Sequence, residues 1–223
     1  MTMRKLSSFL FLTAIATPYA QAEAWYGSAK FNSARQNLSS ALLTSPRVNE
    51  RVEAPDSTKT FTGSYAVGYA FANGWRAEGE YTLSGSSTFD SFWSPFNANV
   101  NRLEADSQRL MVNGYKNIPL THWLSFYGMA GMGVAQIDAE GFQSNDTRRF
   151  ASHRQYNFAY SVGLGLDAKV NDRIAFGTGW RYVDMGRIET GYNTFTNRIN
   201  ARDEQLKGKL KEQSVFFETR VYF

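Results

Sequence analysis

Glu212-Gln213-Ser214-Val215-Phe216-Phe217-Glu218-Thr219-Arg220-Val221-Tyr222-Phe223 is the stretch that decides the fold. Counting back from Phe223, the residues Val221, Thr219, Phe217 and Val215 fall on one face of an extended chain. Tyr222, Arg220, Glu218, Phe216 and Ser214 fall on the other, because strand side chains alternate faces. One face is apolar and its neighbour carries an acid, a base and a hydroxyl. A half-buried strand of a soluble protein alternates in the same way, so the rest of the chain has to say what the apolar face meets.

The same pattern recurs upstream. Phe61, Gly63, Tyr65, Val67, Tyr69 and Phe71 share one face, with Thr62, Ser64, Ala66, Gly68 and Ala70 on the other. Asn73-Gly74 follows and suits a type I′ hairpin turn. Trp75, Ala77, Gly79, Tyr81 and Leu83 then alternate with Arg76, Glu78, Glu80 and Thr82. Two strands of about 10 residues joined by a tight turn have the length that crosses a membrane when tilted. Arg76, Glu78 and Glu80 cannot face lipid, where a charge near the bilayer middle costs about 2–4 kcal/mol in a barrel. They can face a polar interior.

Further strands are expected at Ala24–Arg35, Ser107–Ile118, Trp123–Asp138, Phe158–Val170 and Ile174–Tyr182. With the hairpin and the final stretch this makes eight. Short turns follow the second, fourth and sixth. Long polar connections, at 36–59, 84–106, 139–157 and 184–207, follow the first, third, fifth and seventh. An even strand number with connections long on one side and short on the other belongs to an antiparallel up-and-down transmembrane β-barrel. A secreted sandwich has no reason to lengthen every second connection.

The start of the chain agrees. Arg4 and Lys5 precede the largely apolar Leu6–Ala16, and Ala20-Gln21-Ala22 has the small-x-small form of a cleavage site. Residues 1–22 read as a signal peptide and 23–223 as the barrel. The apolar run is too short to span a bilayer as a helix. The chain has no cysteine, which excludes disulfides and thiolate metal sites. The formal charge of +4 falls to +2 without Arg4 and Lys5 and gives no case for nucleic acid. Aromatic residues make up 15% of a chain whose mean hydropathy is negative, as expected when strands are only half apolar and interfaces carry aromatic girdles.

Gly68–Tyr81 (GYAFANGWRAEGEY), Tyr127–Ala135 (YGMAGMGVA) and Gly179–Gly186 (GWRYVDMG) resemble strands of the opacity-protein and related OmpA-like eight-stranded surface-antigen barrels. The resemblance covers the whole mature chain. It implies an outer-membrane location, variable loops that carry whatever binding exists, and a terminal signal for the barrel-assembly machinery at Phe217, Val221 and Phe223. It implies contact with outer-membrane lipid and lipopolysaccharide, and a host or cell-surface ligand taken through the loops.

Candidate site residues fall into two groups. Arg76, Glu78, Glu80, Arg109, Asp167, Arg181, Glu218 and Arg220 are expected to line the interior as a polar network. They form either a gate on a narrow solute path or a salt-bridge plug, since an eight-stranded barrel is about wide enough for its own side chains. Inward Gly163, Gly165, Gly177 and Gly179 leave some room for a path. Phe89, Phe92, Trp93 and Phe96 are expected in a loop, as interface anchors or as an exposed docking patch. Loop residues Arg148 and Arg149 suit lipopolysaccharide phosphates. No cofactor or metal motif is present: His122 and His153 are expected on opposite sides of the membrane. Ser152-His153 is the sole pair that suggests a lipid-A-modifying enzyme, and neighbours on an extended chain point apart. The reading is a non-enzymatic surface protein, with a narrow channel and a lipid-modifying enzyme as alternatives.

Overall fold

The computed structural model describes residues 23–45, 48–51, 57–93, 96–145 and 147–223. The expected signal segment 1–22 lies outside them. Among the described residues the strands are β1 (Ala24–Ser45), β2 (Val48–Arg51), β3 (Thr58–Ala70), β4 (Trp75–Trp93), β5 (Phe96–Pro119), β6 (Leu124–Gln143), β7 (Arg149–Lys169), β8 (Ile174–Glu189) and β9 (Gln205–Tyr222). Eight of them form an antiparallel ring in the order β1-β3-β4-β5-β6-β7-β8-β9, closed by pairing of β1 with β9. Strand β2 is a four-residue addition that folds back on the end of β1. Closure leaves no edge in the ring, which is what allows a sheet to stand in lipid.

The register puts Phe61, Tyr65, Val67, Leu110, Val112, Met132, Val162, Leu164, Phe176, Val215 and Phe217 on the outside, each exposed. Trp25, Tyr69, Phe71, Trp75 and Trp123 cluster at the end with the short turns, where Trp25 and Tyr69 meet edge to face at 5.3 Å. Aromatic rings at a water–lipid boundary fix a barrel's depth. The first short turn differs from the expected type I′. Of the pair Asn73-Gly74 only Gly74 has positive φ, at 79°. The amide of Gly74 donates to Phe71 O at 3.2 Å and that of Phe71 to Trp75 O at 2.9 Å. A turn closed by a single left-handed glycine is the three-residue alternative for a hairpin.

The long connections all lie on the opposite side from the short turns, but most of their length continues the strands. Strands β4 and β5 run on to Trp93 and Phe96, and β6 and β7 to Gln143 and Arg149. In these extensions the polarity of the wall is reversed. On β9, outward Val215 and Phe217 give way to Gln213, Lys211, Lys209 and Lys207, while the interior passes from Arg220, Glu218 and Glu212 to Leu210 and Leu206. On β5 the outside changes from Val112 and Leu110 to Gln108, Asp106 and Glu104, and the inside from Asn113 and Arg109 to Ala105 and Leu103. Within lipid the apolar face must point out. Above it the apolar face must point in, away from water.

The lumen network and the outer wall

The interior is stacked in layers. Nearest the short turns, Asp167 on β7 accepts from Arg76 Nη2 at 3.0 Å and Asn117 Nδ2 at 2.9 Å, and forms an ion pair with Arg220. Arg220 also holds Glu218 at 2.9 Å. The Arg76 guanidinium lies 4.3 Å from the centre of the Tyr115 ring, a cation–π contact that partly replaces lost hydration. In the middle layer Lys30 on β1 bridges Glu78 and Glu80, the latter at 2.6 Å. Glu80 takes Arg181 at 2.7 Å, and Tyr26 and Tyr115 both donate to Glu78. In the top polar layer Arg109 makes a two-pronged pair with Glu212 at 2.7 and 3.1 Å, and Gln36 Nε2 donates to the same carboxylate at 3.0 Å.

The charges balance. Lys30, Arg76, Arg109, Arg181 and Arg220 are five buried cations, and Glu78, Glu80, Asp167, Glu212 and Glu218 are five buried carboxylates. Such groups are tolerated out of water only when paired and hydrogen-bonded. All eight residues singled out from sequence lie in this network. Lys30 and Glu212 were missed. Both had a signal: each occupies the inward phase of its strand, Lys30 alternating with Ala29 and Phe31, and Glu212 two residues before Ser214.

Two further features fill the bore. Gly165 and Gly179 lie under the Tyr127 ring, and a Cβ on Gly179 would stand 2.6 Å from the Tyr127 hydroxyl. Of the four inward glycines that could widen a path, Gly165 and Gly179 are covered by this phenol from β6, Gly163 by the Met129 side chain, and Gly177 by Asp167, Glu218 and Arg220. Above the Arg109–Glu212 pair, Leu38, Phe89, Leu103, Ile137, Phe150, Val183, Met185, Ile188, Leu206 and Leu210 pack into one apolar cluster. At the other end a cavity of about 170 Å³ opens at the short-turn mouth and stops at Asp167 and Arg220.

Phe89 is therefore a correction. It is 1% exposed and faces inward, so it is neither an interface anchor nor a docking residue. Its position at the inward phase of an extended β4, rather than in a loop, is the reason. Phe92 and Trp93 end β4 and Phe96 begins β5, in strand rather than loop. Arg148 is half-buried, its guanidinium 4.1 Å from the Phe195 ring centre. Arg149 is exposed at the start of β7, and its carbonyl accepts from Thr194 N at 2.9 Å. His122 is exposed in a short turn. His153 lies in β7, not in a loop, with Nδ1 3.4 Å from Glu189 O. Ser152 beside it points outward with Glu104, Asp106, Asp138 and Glu140. Phe217, Val221 and Phe223 are exposed on the outward face of the closing strand, with the Phe223 amide donating to Trp25 O at 3.0 Å.

On the outer wall above the lipid-facing rows, Arg154 donates to Asp138 at 2.8 Å, and this bond holds the Asp138 carboxyl below the usual carboxylate range. Lys207 pairs with Glu189 at 3.1 Å and Arg102 with Asp90 at 2.6 Å.

A closed ring that is apolar outside and charge-balanced inside defines a transmembrane β-barrel. The chain belongs to the outer membrane protein β-barrel domain family, whose model matches residues 7–202, and it is a protein of the bacterial outer membrane. It is similar to the outer membrane protein PagN of Salmonella typhimurium, 27% identical over 165 residues that cover 66% of this chain and 67% of PagN. Among solved structures it resembles the outer membrane protein OprG of Pseudomonas aeruginosa, with TM-score 0.54, 13% identity and coverage of 88% of this chain and 97% of that one. It also resembles the outer membrane protease OmpT of Escherichia coli, with TM-score 0.51, 8% identity and coverage of 93% and 98%. These likenesses concern the fold, and a fold that carries a protease leaves the chemistry to be argued from the site.

Proposed function

We propose that the protein is a non-enzymatic surface barrel, a closed scaffold that presents a stiff extracellular wall to adhesive or antigenic contacts. The observation that carries this reading is the filled interior. A solute would have to break five charge-balanced pairs and then displace an apolar cluster. Among the described residues, the broad surface left for a partner is the outward wall. The strands there rest on their own core, so the wall is rigid and a partner bound to it loses little by ordering it. Ser152 and His153 sit side by side in β7 and project to opposite faces, which argues against a nucleophile–base pair. Phe217, Val221 and Phe223 serve, in this reading, as the strand end recognised by the assembly machinery. The test is paired. Refolded protein in a planar bilayer is expected to give no stable conductance steps, and cells displaying it are expected to bind host-cell surfaces. Deletion of 190–204, the one long segment between β8 and β9 that is not strand, is expected to reduce that binding. Stable unitary conductance would overturn the reading in favour of a channel.

A further inference from the structure

The two ends of the bore are closed differently. At the outer end the apolar cluster around Phe89, Ile137 and Met185 fills the space. At the short-turn end the inward positions become small. Ala24 precedes Tyr26 on β1, Ser125 precedes Tyr127 on β6, and Ala175 on β8 stands directly across from Arg220. The space that these residues leave is the blind cavity of about 170 Å³. Ring closure assembles it. Ser125 lies across from Pro119 on β5 and from Asp167 on β7. Tyr222 on β9 lies across from Tyr26 on β1, with ring centres 5.5 Å apart.

Size is the first indication of a ligand. A dry cavity of about 150 Å³ holds one benzene ring, so this one has room for a single ring with a small substituent. Ala24, Pro119, Ala175 and Tyr222 contribute to its wall, and the floor is polar. An apolar wall with a few convergent polar groups is the usual build of a small-molecule site.

The floor says which substituent. Asp167 accepts from Arg76, Asn117 and Arg220, so both of its oxygens are engaged. Glu218 accepts from Arg220 with one oxygen, and its other oxygen lies 3.8 Å from Lys30. Donors are left over. Arg220 Nε and Arg76 Nη1 are buried and have no hydrogen-bond partner among the described residues. The Tyr222 hydroxyl accepts from Arg220 Nη1 at 3.1 Å, which leaves its own proton to give. At the rim Lys169 is balanced by Asp172 at 2.8 Å. A floor with spent acceptors and spare donors calls for an acceptor, and an ionised one makes the stronger hydrogen bonds.

We infer that the short-turn mouth is a binding pocket for a small single-ring carboxylate entering from the periplasmic side, its ring on the apolar wall and its carboxylate toward Arg220 and Tyr222. Short turns mark that side of an outer-membrane barrel. The site goes beyond the surface role, because it lies at the opposite end of the barrel and uses no residue of the outer wall.

The test uses the full mature chain, isotope-labelled and refolded in zwitterionic micelles, with 4-fluorobenzoate as the probe. Titration is expected to move the amide signals of Asn117, Ser125 and Tyr222 and to leave that of Phe89 unmoved. 4-Fluorobenzyl alcohol, which keeps the ring and loses the charge, is expected to bind at least about tenfold more weakly. Acetate, which keeps the charge and loses the ring, is expected to bind at least about tenfold more weakly as well. Ser125→Leu fills the cavity and is expected to abolish the response. Glu218→Met with Arg220→Met removes the floor cation and leaves the lumen balanced. It is expected to weaken the carboxylate about tenfold and leave the alcohol unchanged. Tyr222→Phe, which takes away one hydroxyl, gives a milder second probe of the floor, with a several-fold loss expected for the carboxylate alone. Unchanged heat-modifiable mobility on a gel verifies that each variant is folded. Equal binding of the alcohol and the carboxylate overturns the inference, as does a response that Ser125→Leu leaves intact. Tighter binding of N-acetyl-glycyl-phenylalanine than of 4-fluorobenzoate overturns it too, and assigns the mouth to the C-terminus of a peptide. Because the readout is ligand binding at the periplasmic mouth, failure here leaves the adhesive role standing.

Discussion

Glu80 is where the lumen network can be broken most cleanly. Its carboxylate accepts from Lys30 at 2.6 Å, Arg181 at 2.7 Å, Asn113 at 3.1 Å and Thr82 at 3.2 Å, and its side chain is fully buried. Glu80→Ala leaves Lys30 with Glu78 and Glu218. It leaves Arg181 with one neutral acceptor, Asn32 Oδ1 at 3.3 Å, and the face of Phe216. Removing one partner of a buried pair costs about 3–5 kcal/mol, because the other charge stays out of water. A typical domain is stable by about 5–15 kcal/mol, so the variant is expected to lose a large part of its margin. The double variant Glu80→Met with Arg181→Met keeps the lumen balanced at four and four. It is expected to return to within about 1–2 kcal/mol of the parent, as apolar replacement of a buried pair is commonly near neutral. Urea unfolding in lipid vesicles, followed by tryptophan fluorescence, measures both. A loss under about 1 kcal/mol for Glu80→Ala, or a double variant no more stable than Glu80→Ala, would refute the argument that these charges are held by one another.

Three further outcomes follow from the same geometry. Gly165→Arg is expected to block folding by driving a side chain into Tyr127 and the Thr178 carbonyl, while Leu164→Arg is expected to fold in detergent but insert poorly, since one residue's shift exchanges lumen for lipid; folding yield in detergent against vesicles separates them. Phe89→Ala is expected to cost about 3–5 kcal/mol through the cavity it leaves in the upper cluster without changing adhesion, read by urea unfolding alongside cell binding. The Asp138 carboxyl is expected to titrate below the ordinary carboxylate range, so the stabilising contact with Arg154 is present above the unfolded-state pKa and lost as pH falls through the lowered one; an NMR titration that shows no upward move of that midpoint in Arg154→Ala would count against the bond.

The membrane-embedded half of the barrel was legible because lipid imposes one rule on every strand. Outward Val162, Leu164 and Leu166 alternate with Ser161, Gly163 and Gly165 without interruption, and the phase cannot be misread. The upper half was hidden for a physical reason. On β5 the apolar residues occupy odd positions at Leu103 and Ala105, then even positions at Leu110 and Val112, because the solvent outside changes from water to lipid between them. A search for one phase finds a strand only below the change and a loop above it. Bulges add to this: the β1–β9 register shifts between Ser39 and Leu42, with Ser40 at φ 55°, and the β4–β5 register shifts between Thr82 and Gly85. Phe89 was misread with its strand. Lys30 and Glu212 were placed in strands from sequence, yet their roles depended on partners that only ring closure brings near, Glu78 across β3 and Arg109 from the far side of the bore.

The wall of the barrel reverses polarity at the outer membrane boundary and is sealed inside. Single nitroxide labels at Val215, Lys209 and Leu210 on β9, in protein refolded into bilayers, test it in one experiment. The label at Val215 is expected to be relaxed by oxygen dissolved in lipid, that at Lys209 by a water-soluble nickel chelate, and that at Leu210 by neither. A label at Lys209 that meets oxygen rather than nickel, or one at Leu210 open to the nickel chelate, would contradict the claim.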